Sequence, residues 1–146
     1  MYTGSTLRVP ADVRQLALIR RFVEEQSQAL SVEQSAVYDL VLAVNEMATN
    51  IIVHGYRGQA GEIEISMRQD GDAVEIRLRD QAPAFDPTGA RAPDTTAPLH
   101  QRPLGGMGIH VTRQMMDSMI HCIPPQGGNE LTLVKRGIVE NHREER

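Results

Sequence analysis

Val37, Leu40, Val41, Val44, Met47, Ala48, Ile51 and Ile52 recur at helical spacing and fall on one stripe when each residue is rotated by about 100°. The stripe predicts a helix with one core-facing side. Ser31-Val32-Glu33-Gln34 has the form of a capping box and Gly55 that of a stop signal, which places this helix from residue 31 to about residue 54. Upstream, residues 12 to 30 read as an amphipathic helix with Leu16, Ile19 and Val23 inward, and residues 6 to 9 as a short strand ended by Pro10. The period then switches to two. Ile63, Ile65 and Met67 share one face of residues 62–69, and Val74, Ile76 and Leu78 repeat the alternation after Asp70-Gly71, a hairpin turn signal. Residues 81–103 hold five of the eight prolines and form a long loop, a feature that in a compact domain is either functional or disordered. Gly105-Gly106-Met107-Gly108 next opens a helix to about residue 117, followed by strands at 119–123 and 130–136 and a frayed tail at 137–146.

This order of elements argues an α+β fold, a two-layer sandwich with a mostly antiparallel sheet and its helices on one face. A doubly wound parallel sheet would need regular strand–helix alternation, which the chain lacks. At 146 residues the expectation is a single domain, with its core over about residues 6–136. Hydrophobic residues at 40%, charged residues at 23% and a net charge of −4 describe a soluble, mildly acidic protein. Of the 15 basic residues 14 are Arg, spread along the chain, and aromatics are 3%. Neither a basic patch nor a stacking platform points to nucleic acid. With no apolar run near the length of a membrane span and no signal-peptide core at the start, the expected setting is the cytoplasm, without a membrane partner. Cys122 stands alone, which excludes an internal disulfide and a cysteine-based zinc site.

Composition therefore names no chemistry, but three local patterns do. Glu46 points away from the apolar stripe, with Asn50 about 40° round and His54 about 40° further, so the three form a column down the helix. Between residues 34 and 55 the only charged residues are Asp39 and Glu46. A carboxylate among apolar neighbours costs free energy unless it meets a cation, a donor or a ligand. The amide oxygen of Asn suits a hard cation such as Mg²⁺, so Glu46 and Asn50 are candidates for base and metal ligand. The glycines at 105–108 would let a phosphate approach the N–H groups of a helix start. They are neither a P-loop nor a dinucleotide fingerprint. Asp80, at the end of the second hairpin strand, is the third pattern.

In this order the patterns resemble the N, G1 and G2 boxes of the GHKL ATPases, and the chain resembles within them the anti-sigma factor serine kinases of the RsbW and SpoIIAB type. The resemblance covers about residues 6–136. It rests on Asn45-Glu46-Met47-Ala48-Thr49-Asn50 with His54-Gly55-Tyr56, on Asp80 with Phe85-Asp86-Pro87, on Gly105-Gly106-Met107-Gly108-Ile109 with Met116-Asp117, and on Gly128-Asn129-Glu130-Leu131-Thr132-Leu133. It implies a Bergerat, histidine-kinase-like ATPase fold that binds ATP and Mg²⁺. Glu46 would be the general base, Asn50 the Mg²⁺ ligand, Asp80 the acceptor for the adenine amino group and Thr132 its support. Gly106 and Gly108 would present amides to the phosphates. Thr49, His54, Ala82, Arg102, Gly105, Met107 and Ile109 would complete the nucleotide site, and residues 85–104 would form the lid.

The implied activity is that of a protein serine/threonine kinase and anti-sigma factor. Its implied partners are a STAS-domain anti-sigma factor antagonist, a sigma factor and a second copy of the chain. The alternatives are a docking module that binds ATP without transferring phosphate and, further off, an ATP-hydrolysing chaperone-like or sensor fragment. Retention of Glu46 favours an enzyme. Two positions depart from the pattern. Ala82 stands where the G1 box usually has Gly, and Gly105 and Leu104 stand where some relatives carry an Arg before the G2 glycines, which leaves Arg102 as the nearest candidate for the γ-phosphate.

Overall fold

The computed structural model describes residues 4–89 and 106–140. Strands β1 (Gly4–Pro10), β2 (Glu62–Asp70), β3 (Ala73–Asp80), β4 (Ser118–Cys122) and β5 (Asn129–Lys135) form one sheet in the order β1-β2-β3-β5-β4, with every neighbouring pair antiparallel. Helices α1 (Leu16–Ala29), α2 (Gln34–Asn50) and α3 (Gly106–Met115) complete the two-layer α+β sandwich. Strand alternation sorts the sheet into two faces. Ile63, Ile65, Met67, Val74, Ile76, Leu78, Leu131 and Leu133 are buried beneath the helices. The other face carries Arg68, Arg77 and Arg79 in ion pairs with Glu75, Glu64 and Glu130. Arg68 foremost holds the Glu75 carboxyl below its ordinary range.

α1 contributes Ile19 and Val23 to the core, and α2 contributes Leu40, Ala43, Val44, Met47 and Ala48. Val37, Val41 and Ile51 flank this stripe only partly buried, so the stripe is centred closer to Ala43 than the periodicity predicted. With its extension, α2 spans Gln34–Tyr56, 23 residues that by length and composition could cross a membrane. That corrects the expectation that no run approaches this length. In the fold its most apolar side is core.

Both ends of the predicted second helix differ from expectation. Ser31 adopts φ 59° and the cap residue Glu33 makes no side-chain capping bond, so the capping box is not formed. Backbone from the end of the chain serves this corner instead. Glu33 N donates to Ile138 O at 2.8 Å, Glu140 N donates to Ser31 O at 2.7 Å, and Val32 pairs with Val139. Ile138 and Val139 are only 5% and 8% exposed. The core therefore runs past residue 136 into the segment expected to be tail, while residues 141–146 lie outside the described residues. At the other end α2 passes into a π-helical turn, Ile51–Tyr56, that continues through Gly55 and stops at Arg57 (φ 52°) and Gly58 (φ 84°). Gly55 is needed for closeness rather than for a stop, since a Cβ there would lie 3.2 Å from the Ala82 Cβ.

Candidate nucleotide site

A cavity of about 600 Å³ opens between the end of α2 with its π-turn and the ends of β3, β4 and β5, lined among others by Asn50, His54, Asp80, Ala82, His121 and Asn129. Its floor follows from strand parity. Asp80 continues the inward series Val74, Ile76, Leu78 and is 4% exposed. Register places Asn129 opposite it. Ala82 N and Asn129 Nδ2 both donate to Asp80 Oδ1 at 2.9 Å, leaving Oδ2 without a protein donor among the described residues. Burial pushes the Asp80 carboxyl above its ordinary range, and the bonds from Asn129 and Ala82 pull it partly back.

Asn129 is the hub of this end. Its amide nitrogen also reaches the carbonyls of Ala82 (3.3 Å) and Pro83 (3.2 Å), and its oxygen accepts from Phe85 N at 2.9 Å. Gly128 before it has φ 80°, and a Cβ there would lie 2.1 Å from the Asp80 carbonyl oxygen. Only glycine allows β5 to start so close to the end of β3. Tyr56 ties the wall together, because its hydroxyl donates to Glu62 O and accepts from Gln81 N, each at 2.7 Å. Burial raises the Tyr56 pKa.

The other end of the site is set by helix crossing. Glu46 precedes Asn50 by one turn and is half-buried. A Cβ at Gly108 would lie 2.5 Å from Glu46 Oε2, so α3 approaches α2 through a residue without a side chain and brings its first turn to the carboxylate. The fully buried Thr112 donates to Gly108 O at 2.9 Å. Glu46 does not line the cavity itself.

Asn50, His54, Asp80 and Ala82 are thus brought together. Thr49 turns its hydroxyl to Asn45 O at 2.7 Å. Ile109 is buried in α3, and Gly106 and Met107 open that helix. Thr132 requires correction. It alternates with the buried Leu131 and Leu133 and pairs with Arg77 and Ile120, which puts it on the far face of the sheet, and Asn129 holds the inward place beside Asp80. Ala82 is relaxed, since the only non-glycine residues with positive φ among those described are Ser31 and Arg57. Gly105, Arg102 and residues 90–104 of the expected lid lie outside the described residues. The root of that loop is held by Arg113 Nη2, which donates to Pro87 O (3.0 Å) and Thr88 O (2.7 Å). Sequence reasoning gave His121 no role, although it shares the inward parity of Met119 on a strand. Asn129 and Tyr56 stood in matched motifs without one.

Among the described residues no group of three His, Cys, Asp or Glu side chains could hold a metal. The donor set fits Mg²⁺ in another way. Asn50 offers an amide oxygen at the cavity, and Mg²⁺ commonly takes one or two protein ligands with the rest from phosphates and water.

The sequence profile of the histidine kinase-like ATPase domain matches residues 9–135, and the chain belongs to that family. The chain is similar to the serine-protein kinase RsbW of Bacillus cereus (strain Q1), 26% identical over 117 residues that make up 77% of this chain and 73% of that protein. The same-named protein of Bacillus anthracis (strain A0248) matches with the same identity and coverage. Among solved structures, that of the RsbU and RsbW domains of Rv1364c from Mycobacterium tuberculosis superposes with a TM-score of 0.65 over 92% of this chain, at 16% identity. This chain spans 32% of that longer chain.

Proposed function

We propose that the protein is an ATP- and Mg²⁺-dependent protein serine/threonine kinase that phosphorylates a STAS-domain anti-sigma factor antagonist and, as an anti-sigma factor, also binds a sigma factor in the cytoplasm. The observation that carries this reading is Asp80, a buried carboxylate at the floor of a cavity, with one oxygen saturated and the other left for the amino group of an adenine. The kinship with serine-protein kinases of the RsbW name supports the choice of substrate class.

Phosphoryl transfer is mostly positioning and charge neutralisation. Asn50 would hold Mg²⁺, which when bound would neutralise phosphate charge. The first turn of α3 offers N–H groups and partial positive charge to the same oxygens. Glu46 accepts the proton of the attacking Ser or Thr hydroxyl. The hydroxyl oxygen of the substrate bonds to the γ-phosphorus as the bond to the β,γ-bridging oxygen breaks, and ADP leaves with that electron pair.

The test is transfer of label from γ-labelled ATP to a purified STAS-domain antagonist by wild type, Glu46→Gln and Asp80→Asn. Transfer by wild type and its loss in both variants supports the reading. One observation favours the docking-module alternative, namely that Glu46 rests against Gly108 outside the cavity. Nucleotide-dependent partner binding without any label transfer would decide for that alternative.

A further inference from the structure

The geometry points to His121 as a positioning residue for base recognition, one that fixes the Asn129 amide and through it the single acceptor that Asp80 offers. This inference rests on the reading of the cavity as an adenine site. His121 lies on β4 opposite Leu131 and its side chain is 6% exposed. Its Nε2 is 2.8 Å from Asn129 Oδ1, the atom that already accepts from Phe85 N. An amide oxygen can only accept, so Nε2 carries the hydrogen. Two donors on the oxygen side leave the amide one orientation, with its NH₂ toward Asp80 Oδ1, Ala82 O and Pro83 O.

The consequence is chemical selectivity. With Oδ1 engaged by Asn129 and by Ala82 N, only Oδ2 remains to accept from a base. That arrangement suits an exocyclic amino group, as in adenine, and disfavours a carbonyl oxygen in the same place, as in guanine, because two acceptors would face each other. A rotated Asn129 would turn its oxygen onto Asp80 and remove the donor that fixes Oδ1. His121 therefore acts on the base at one remove. Its other ring nitrogen, Nδ1, lies 3.8 Å from Asp86 Oδ1 at the root of the 85–104 loop.

The experiment is calorimetric titration of the full chain with ATP and with GTP, in wild type, His121→Ala, His121→Gln, Asp80→Asn and the double variant Asp80→Asn/His121→Ala. Losing the donor should weaken ATP binding roughly 5–20-fold, the cost of one unmade bond in a buried network. GTP binding should change less, so the preference for ATP narrows. His121→Gln, which restores an N–H donor, should recover ATP affinity to within about threefold. In the Asp80→Asn background His121→Ala should change ATP affinity less than about twofold, because residues acting through one another do not add.

An equal loss in both backgrounds, or an unchanged ratio of ATP to GTP affinity, overturns the inference. Should His121→Ala fail to fold, ¹⁵N NMR of the wild-type ring decides, since a ring protonated on Nδ1 alone cannot make the bond. If wild type binds no ATP, the adenine reading itself fails. If wild type binds ATP and Asp80→Asn abolishes binding while the His121 variants match wild type, only the role of His121 fails.

Discussion

In the proposed nucleotide site the base end and the phosphate end are built in different ways. At the base end Asp80, Ala82, Phe85, His121 and Asn129 form one hydrogen-bonded network, centred on Asn129, across three strands and a loop root. At the phosphate end the side chains of Asn50 and Glu46 bond to none of the described residues, and Glu46 is placed by packing against Gly108. A preformed acceptor needs little reorganisation when a base arrives, whereas groups left unpaired await a ligand that carries their partners. The division suits an enzyme that recognises its nucleotide by one half and does chemistry with the other.

The largest effects should fall on the phosphate end and spare binding. Glu46→Gln keeps size and helix propensity but removes the proposed base, so phosphotransfer should fall about 10²–10⁴-fold with ATP affinity nearly unchanged. Undiminished transfer in a quench-flow assay would make the Glu46 column structural. Gly108→Ala attacks the same carboxylate from the other side. A Cβ 2.5 Å from Oε2 obliges Glu46 to move, and displacing a reacting group by about 1 Å can cost on the order of 10²-fold. The melting temperature should hold, since Ala favours the helix and the carboxylate tip can shift. Loss of transfer at constant stability is the expected signature.

Asp80→Asn reverses the pattern, with a smaller effect seen in binding. Asn keeps an oxygen for the donors from Ala82 and Asn129 but puts an NH₂ where Oδ2 was, so ATP affinity should drop by about 1–3 kcal/mol, roughly 5–150-fold. Stability should move the other way. Because burial raises the Asp80 pKa in the folded chain, the native state binds more protons than the unfolded one between the ordinary carboxylate value and the raised one. Stability therefore falls as pH climbs through that window and stays lower above it. Asp80→Asn should remove this slope and be at least as stable at pH 7, which urea unfolding at several pH values would show. ATP affinity of wild type should rise through the same window, since the amino group prefers the ionised acceptor.

The same contrast governs what could be read from the sequence. Glu46, Asn50 and His54 stand out because a helix converts spacing of four residues into proximity, so a local pattern already states the geometry. The alternating strands and the sheet's covered face were legible for the same reason. Asp80 meets Asn129 across 49 positions, and only the pairing of β3 with β5 decides whether Asn129 or Thr132 points inward. One residue of parity separates those answers, and the motif did not carry it. The capping box failed similarly, because backbone at Ile138 and Glu140, more than a hundred residues away, binds Glu33 N and Ser31 O and holds this corner in another conformation. His121 was silent, since a lone histidine in a short strand has no periodicity to betray it.

The smallest effect lies where the two ends touch, at Gly55 against Ala82. If Ala82 were strained for standing where relatives have glycine, Ala82→Gly would stabilise the fold. Its backbone is not in the positive-φ region, it is 4% exposed, and its N–H is committed to Asp80. Ala82→Gly should therefore destabilise, by about 0.4–1 kcal/mol, through the added freedom of the unfolded chain. It also opens the space that a methyl at Gly55 would need, 3.2 Å from the Ala82 Cβ. Gly55→Ala alone should push the Asp80–Ala82 corner and lower ATP affinity a few-fold, while Gly55→Ala/Ala82→Gly should recover most of it, a coupling of about 0.5 kcal/mol or more. Thermal melts and ATP titrations on the three variants measure both quantities. Additive losses in the cycle would show that the ends of the site do not communicate through this contact.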